Sequence, residues 1–308
     1  MTDTCLVTGG AGFIGSHLVE ALLAAGRRVR VFDDLSTGRA DNFTHLPAPP
    51  DLVQGDVADP GAVDAAVNGC DTVFHLAAMA SVARSLEEPA RCHAVCATGT
   101  LHVLDAARRY GVRRVVYAAS SSAYGPATDP AGLGEDTPPR PLSPYAAAKL
   151  AGEHYCEAFA ASYGLETVRL RFFNIFGPRQ RADSPYSGVI AIFADLLQAG
   201  RTPTVHGDGE QRRDFVYVTD CVQALLKAAE VPGVGGRVFN VGTGRSVSVR
   251  ELVAALNRVL GTSVEPAFGP ARAGDVRFSL AKIGRIRAEL GYEPAVAFEE
   301  GLRRTLGV

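Results

Sequence analysis

The segment TCLVTGGAGFIGSHLVEALLAAG, residues 4–26, decides the fold. It opens with a short apolar run closed by glycines, the pattern of a strand buried on both faces. From Ser16 onward apolar residues recur at helical spacing until Gly26. Between the two lie Gly9, Gly10, Gly12 and Gly15. Gly10, Gly12 and Gly15 satisfy G-x-G-x-x-G, and Gly9, Gly12 and Gly15 satisfy the wider G-x-x-G-x-x-G. Glycines so placed serve a tight turn, a close backbone approach to a pyrophosphate and close helix-to-strand packing. The free N–H groups at the helix start then hold phosphate.

Outward from this turn the alternation continues. RVRVFDD (28–34), DLVQGDV (51–57) and DTVFHLAA (71–78) read as strands, and GAVDAAVNG (61–69) as a helix. A long helix over roughly 90–110 follows, then the strand RRVVYAASS (113–121), a helix starting near 145, and the strand ETVRLRFFN (166–174). Such alternation predicts an α/β fold, a Rossmann-type doubly wound parallel sheet, over residues 1–178. Beyond 178 the rhythm breaks into short elements with links such as TPTVHGDGEQ and FGPARAGD. That predicts a smaller C-terminal α/β substrate-binding region over 179–308, packed at the sheet's C-terminal edge with some crossing of the chain.

Asp33 ends the second strand, where a carboxylate accepts from both adenosine ribose hydroxyls and repels a 2′-phosphate, favouring NAD over NADP. Asp34 follows it, and Asp56 ends the next strand near the adenine position.

The bulk composition excludes other classes. The 308 residues are 47% hydrophobic and 21% charged with a net charge of -2, which fits a soluble globular protein. There is no basic tract, so nucleic acid is not an expected partner. No apolar run reaches the roughly 18 residues of a membrane span. Strand material begins by Cys5, which leaves no room for a secretory signal. The six cysteines, Cys5, Cys70, Cys92, Cys96, Cys156 and Cys221, are scattered and complete no metal site. The expectation is a cytoplasmic protein with reduced thiols and no metal.

LSPYAAAKLAGE (142–153) places Tyr145 and Lys149 four apart, on one helical face. Ser143 reads as the N-cap and Pro144 as the first helical residue. A tyrosine ordinarily titrates near ~10. A neighbouring ammonium and an oxidised nicotinamide both favour its phenolate, which could then take a hydroxyl proton. AASSSAYG (118–125) ends another strand and offers Ser120, Ser121 and Ser122 to hold that hydroxyl.

Taken together, TGGAGFIGSHL, DDLSTG, GDV, FHLAA, SSSAYG, SPYAAAK, RFFNIFGPRQ, GDGEQRRDFVYV, NVGTG and RAGDV cover essentially the whole chain. They resemble the extended short-chain dehydrogenase/reductases of the NAD-dependent UDP-sugar 4-epimerase type. The resemblance implies a catalytic set of Ser120, Tyr145 and Lys149. It implies an NAD cleft built from Gly9, Gly12, Phe13, Ile14 and Gly15, from Asp33, Asp34, Ser36, Thr37 and Gly38, and from Asp56 and Val57. Leu76, Ala77, Ala78 and Phe172 complete that cleft beside Tyr145 and Lys149. Substrate contacts are implied at Asn174, Arg213 and Arg272 for the diphosphate, and at Asp275 for the uridine ribose. Ser81, Ser85, Ser121, Ser122, Arg181 and Val189 are implied around the sugar. Without the family, Arg213 beside Asp214 reads most simply as a surface pair.

The implied reaction oxidises sugar carbon 4 to a ketone, turns the sugar about its diphosphate, and reduces it on the other face. A homodimer through a pair of long helices is also implied. Ser121 and Ser122 stand where related 4,6-dehydratases carry Asp-Glu and decarboxylases a glutamate, which argues against both. A non-catalytic NAD-binding protein on this fold would be expected to have lost Tyr145 or Lys149. Cys96 in VCATGT replaces an asparagine that supports the active-site polar network in relatives. Arg181 resembles the arginine of glucuronate-type epimerases, and a desolvated carboxylate at sugar carbon 6 needs such a partner. UDP-glucuronate is therefore narrowly the expected substrate, with UDP-glucose and UDP-N-acetylglucosamine as alternatives.

Overall fold

The apolar blocks form strands in the computed structural model, which describes residues 4–127, 129–180, 188–271 and 276–308. Strands β1 (Thr4–Thr8), β2 (Arg28–Asp33), β3 (Asp51–Gln54), β4 (Thr72–His75), β5 (Arg114–Ser120) and β6 (Glu166–Phe172) lie parallel in the order β6-β5-β4-β1-β2-β3. The strand Val238–Val241 pairs parallel with β6 at the sheet's edge, so chain from beyond residue 178 returns to the large sheet. Leu6 and Val7 of β1 and Val115 and Val116 of β5 have no exposure at all. Parallel strands covered by helices on both faces require this, and each such leucine contributes roughly 2 kcal/mol by burial. The strand order reverses between β1 and β4, which opens a crevice at their C-terminal ends.

Helices α1 (Phe13–Ala24), α2 (Pro60–Val67), α3 (Val82–Glu87), α4 (Pro89–His93), α5 (Gly99–Arg109) and α6 (Pro144–Tyr163) cover the sheet. The single helix expected over 90–110 is interrupted: Ala94–Thr98 form a π-helical turn between α4 and α5. There the Thr100 hydroxyl donates to the Cys96 carbonyl at 2.7 Å. Gly99 follows directly, packed so that a Cβ would come within 2.8 Å of the Val57 side chain. Such turns recur at functional sites.

α6 forms as its alanines and caps dictate. Ser143 accepts from the Ala146 N–H at 3.1 Å, Pro144 stands in the first turn, and Gly164 closes the helix in the left-handed conformation. Its buried face carries Lys149, Gly152, Glu153 and Cys156. Gly152 is demanded by packing, because a Cβ there would collide with the Tyr117 hydroxyl.

In the second half of the chain α7 (Val189–Gln198) and α9 (Val249–Leu260) build a smaller lobe with short strand pairs, while α8 (Val218–Glu230) packs on the large sheet beside α1. Phe176, Phe215, Tyr217, Leu252 and Leu302 form the core of that lobe. Asn174–Phe176 pairs with Phe215–Tyr217. Asp214 precedes that second strand fully buried, and is not a surface partner of Arg213. It accepts from the N–H groups of Thr243, Gly244 and Ala281 and from the Thr243 hydroxyl. Its carbonyl accepts from the backbone and side chain of Asn174. One residue thereby gathers three segments of the chain. Among the described residues no helix is long and apolar enough to cross a membrane.

Candidate active site

A cleft of about 1310 Å³ opens at the C-terminal ends of the strands, between the two lobes. That exceeds the roughly 300–1,000 Å³ of a drug-sized pocket and suits a dinucleotide with a second ligand beside it. The glycine turn forms its floor. Gly9 has φ +67°, and a Cβ on it would lie 2.7 Å from the Ala77 nitrogen. A Cβ on Gly15 would strike the Gly9 carbonyl. The α1 N-terminus has no side-chain cap and no acid in its first turn, so its N–H groups stay available to phosphate.

At the adenosine end Asp33 is buried, which pushes its carboxyl above the usual range. Its two oxygens accept from the Ala11 and Leu35 N–H groups, each at 2.9 Å, and keep lone pairs for ribose hydroxyls. Gly38 does not line the cleft but backs Asp33, because a Cβ there would sit 2.7 Å from the carboxylate. Arg91 of α4 pairs with Asp56 at 2.7 Å and reaches Asp34 at 3.5 Å. These features fit NAD: an anion cradle, a ribose-facing acid, and glycines where any side chain would fill the turn.

The chemical end brings Ser120, Tyr145 and Lys149 to one wall. Burial pushes the Tyr145 phenol well above its ordinary value, the neighbouring Cys96 thiol adds to this, and the nearby Ser120 side chain opposes it. The ammonium of Lys149 lies 4.2 Å from the centre of the Tyr117 ring. Burial lowers the Lys149 pKa as well. Behind the wall, His75 bridges Thr8 at 2.7 Å and Thr100 at 3.0 Å, and burial depresses it to about 3. Cys96 keeps a contact of its own, with the Met79 N–H directed at its sulfur over 3.3 Å.

Apart from Gly38, every residue expected around the cofactor lines the cleft, as do Ser81, Asn174 and Val189. Ser81 does so while capping α3, accepting from the Arg84 N–H. Ser85 is turned away: it is fully buried and donates to the Val82 carbonyl at 2.6 Å. Ser121 and Ser122 also lie off the cleft lining, in the 3₁₀ turn capped by Ser120, with the Ser122 hydroxyl 2.8 Å from that of Ser120. Arg213 stands outside the cleft and donates to the carbonyls of Arg212 and Val276. Arg181, Arg272 and Asp275 lie outside the described residues.

Sequence reasoning missed Met79, Arg84, Arg91, Arg179 and Gln180, which also line the cleft. Arg179 has φ +67°, a conformation that costs a non-glycine residue roughly 1–2 kcal/mol. Its guanidinium donates to Glu20 at 2.7 Å and to Ser16 at 3.3 Å. Burial works to raise the Glu20 carboxyl, but Arg179 outweighs it and holds the group below its ordinary value. The only signal for this residue was its place in the GPRQ segment after the strand Asn174–Phe176.

Comparison with known proteins places this geometry. The model of the NAD dependent epimerase/dehydratase family matches residues 5–242. A UDP-glucose 4-epimerase of Mycolicibacterium smegmatis is 44% identical over 98% of this chain and 96% of its own. The crystal structure of UDP-glucose 4-epimerase from Thermotoga maritima with UDP-glucose superimposes with a TM-score of 0.94 at 40% identity, covering 99% of this chain and 97% of that one. MoeE5 in complex with UDP-glucuronic acid and NAD gives 0.87 at 37% identity, covering 99% and 98%. With its glycine turn, its ribose-facing Asp33 and its Ser120, Tyr145 and Lys149 on one wall, the chain belongs to the NAD dependent epimerase/dehydratase family.

Proposed function

We propose that the protein interconverts the carbon-4 epimers of a UDP-sugar. The observation that carries this is the placing of Ser120, Tyr145 and Lys149 on one wall of the cleft, with the Lys149 side chain buried. NAD, when bound, takes up and returns the hydride at carbon 4, and its oxidised ring carries the positive charge that favours a phenolate. Tyr145 takes the 4-hydroxyl proton and gives it back, while Ser120 fixes the hydroxyl. Lys149 supplies a nearby cation. Asn174 and the loops gathered by Asp214 hold the diphosphate, which leaves the sugar free to turn. The absence of an acidic pair at Ser121 and Ser122 supports epimerisation over elimination.

For the sugar, Arg181 favours UDP-glucuronate, and MoeE5 is found in complex with UDP-glucuronic acid as well as with UDP-glucose. A second substrate, UDP-glucose, is favoured by the Mycolicibacterium and Thermotoga epimerases. Purified protein given UDP-glucuronate, UDP-glucose and UDP-N-acetylglucosamine separately, with each 4-epimer resolved, decides between them. Turnover of UDP-glucuronate that weakens in Arg181→Ala supports the first; turnover of a neutral sugar alone overturns it.

The proposal takes residues 1–178 as the cofactor lobe and 179–308 as the nucleotide-sugar lobe of a cytoplasmic homodimer. Pairing through α5 and α6 is supported by the exposed Tyr155 and Tyr163 of α6 and Tyr110 at the end of α5. Light scattering at twice the chain mass is the expected result.

A further inference from the structure

Arg179 and Leu35 are the only non-glycine residues with positive φ among those described, and each stands in a loop at the cofactor cleft. Leu35 has a local purpose, since its N–H binds Asp33. Among the described residues, the side-chain contacts of Arg179 are all far away in sequence. Its guanidinium meets Glu20 and Ser16 on α1 and lies 3.2 Å from the His45 ring. One residue earlier, the Pro178 carbonyl lies 3.0 Å from His17 Nε2, again on α1. Gly177 packs against Phe13, in the first turn of that helix. The loop at 177–180 is thus fastened to the helix whose N-terminus forms the anion cradle. Residues Gly12 to Gly15 and Arg179 to Gln180 line the same cleft.

The proposed epimerisation leaves Arg179 without a chemical role, because its guanidinium is engaged on α1 and at His45 rather than at Ser120, Tyr145 or Lys149. An epimerisation also returns its cofactor unchanged after each turnover, so release of NAD serves no step. We propose that Arg179 is a positioning residue for cofactor retention, bolting loop 177–180 onto α1 so that bound NAD exchanges with solvent only when the Arg179–Glu20 pair parts. The inference rests on the NAD site and is independent of which sugar is turned over.

Label exchange tests this with no turnover needed. Full-length protein loaded with isotopically labelled NAD is diluted into excess unlabelled NAD, and retained label is followed after rapid desalting. Arg179→Gly removes the guanidinium while relaxing the left-handed backbone, so misfolding is not the expected consequence. Exchange at least tenfold faster is expected. Glu20→Gln should move the same way by less, and Arg179→Lys should recover part of the loss, because it keeps charge without the fork. Added salt should speed exchange in the unaltered protein by screening the half-exposed pair, and should do so less in Arg179→Gly. A rate within twofold of the unaltered protein in Arg179→Gly, or an acceleration that leaves the salt response unchanged, overturns the assignment.

Discussion

The Lys149 ammonium lies 4.2 Å from the centre of the Tyr117 ring, and the Tyr117 hydroxyl donates to the carbonyl of Lys149 itself over 3.1 Å. Both side chains are fully enclosed, so the ring face supplies what water would otherwise give the cation. Tyr117→Leu removes that face, and burial then lowers the Lys149 pKa further. The alkaline limb of the pH–rate profile should move down by about one unit, from a cation–π contribution of about 1–2 kcal/mol. Tyr117→Phe keeps the ring, so its limb should stay in place while stability drops by about 1 kcal/mol for the lost hydrogen bond.

Gly15→Ala drives a methyl group into the Gly9 carbonyl, a backbone atom that cannot swing aside. The variant should fold, because the clash is confined to the turn, but should purify without NAD. Cofactor content by absorbance after denaturation checks this.

Asp214→Asn turns one acceptor oxygen into an amino group facing two of the carboxylate's four donors. A loss of roughly 1–3 kcal/mol is expected from the unsatisfied groups. The Asn174 contacts go to the Asp214 backbone carbonyl, which the variant keeps, so KM for the UDP-sugar should change little while stability falls. Denaturant melts and steady-state kinetics separate the two effects.

His75 gives stability a pH dependence of known sign. Burial depresses its pKa from 6.5 to about 3, so the folded state favours the neutral ring. Its contribution is complete above the unfolded value and is lost as pH falls toward the folded one, at about 1.4 kcal/mol per unit. Between pH 7 and pH 5 the unaltered protein should lose stability relative to His75→Asn, which cannot charge. Urea unfolding at the two pH values reads the difference.

The parallel sheet was legible because each strand is a local apolar run and each crossover a local helical pattern. The glycine turn, Asp33 and the Tyr145–Lys149 spacing were legible for the same reason. The π turn at Ala94–Thr98 was not, since no residue type marks it; it accompanies the close packing of Gly99 on Val57 and the Thr100 bond to Cys96. Arg91 and Arg179 were hidden because their partners, Asp34, Asp56 and Glu20, lie far off in sequence. Spacing put Tyr145 and Lys149 on one face, but it could not reveal that burial raises the phenol, nor that the ammonium lies over the Tyr117 ring.

In the proposed reaction one hydrogen leaves and returns to carbon 4 of a UDP-sugar, with Tyr145 handling the proton. UDP-glucuronate deuterated at carbon 4 is therefore incubated with the purified protein in ordinary water. The predicted product is the 4-epimer with deuterium retained at carbon 4, formed at least ~10²-fold more slowly by Tyr145→Phe. An epimer that has lost its deuterium to solvent, or an undiminished rate in Tyr145→Phe, would contradict this mechanism.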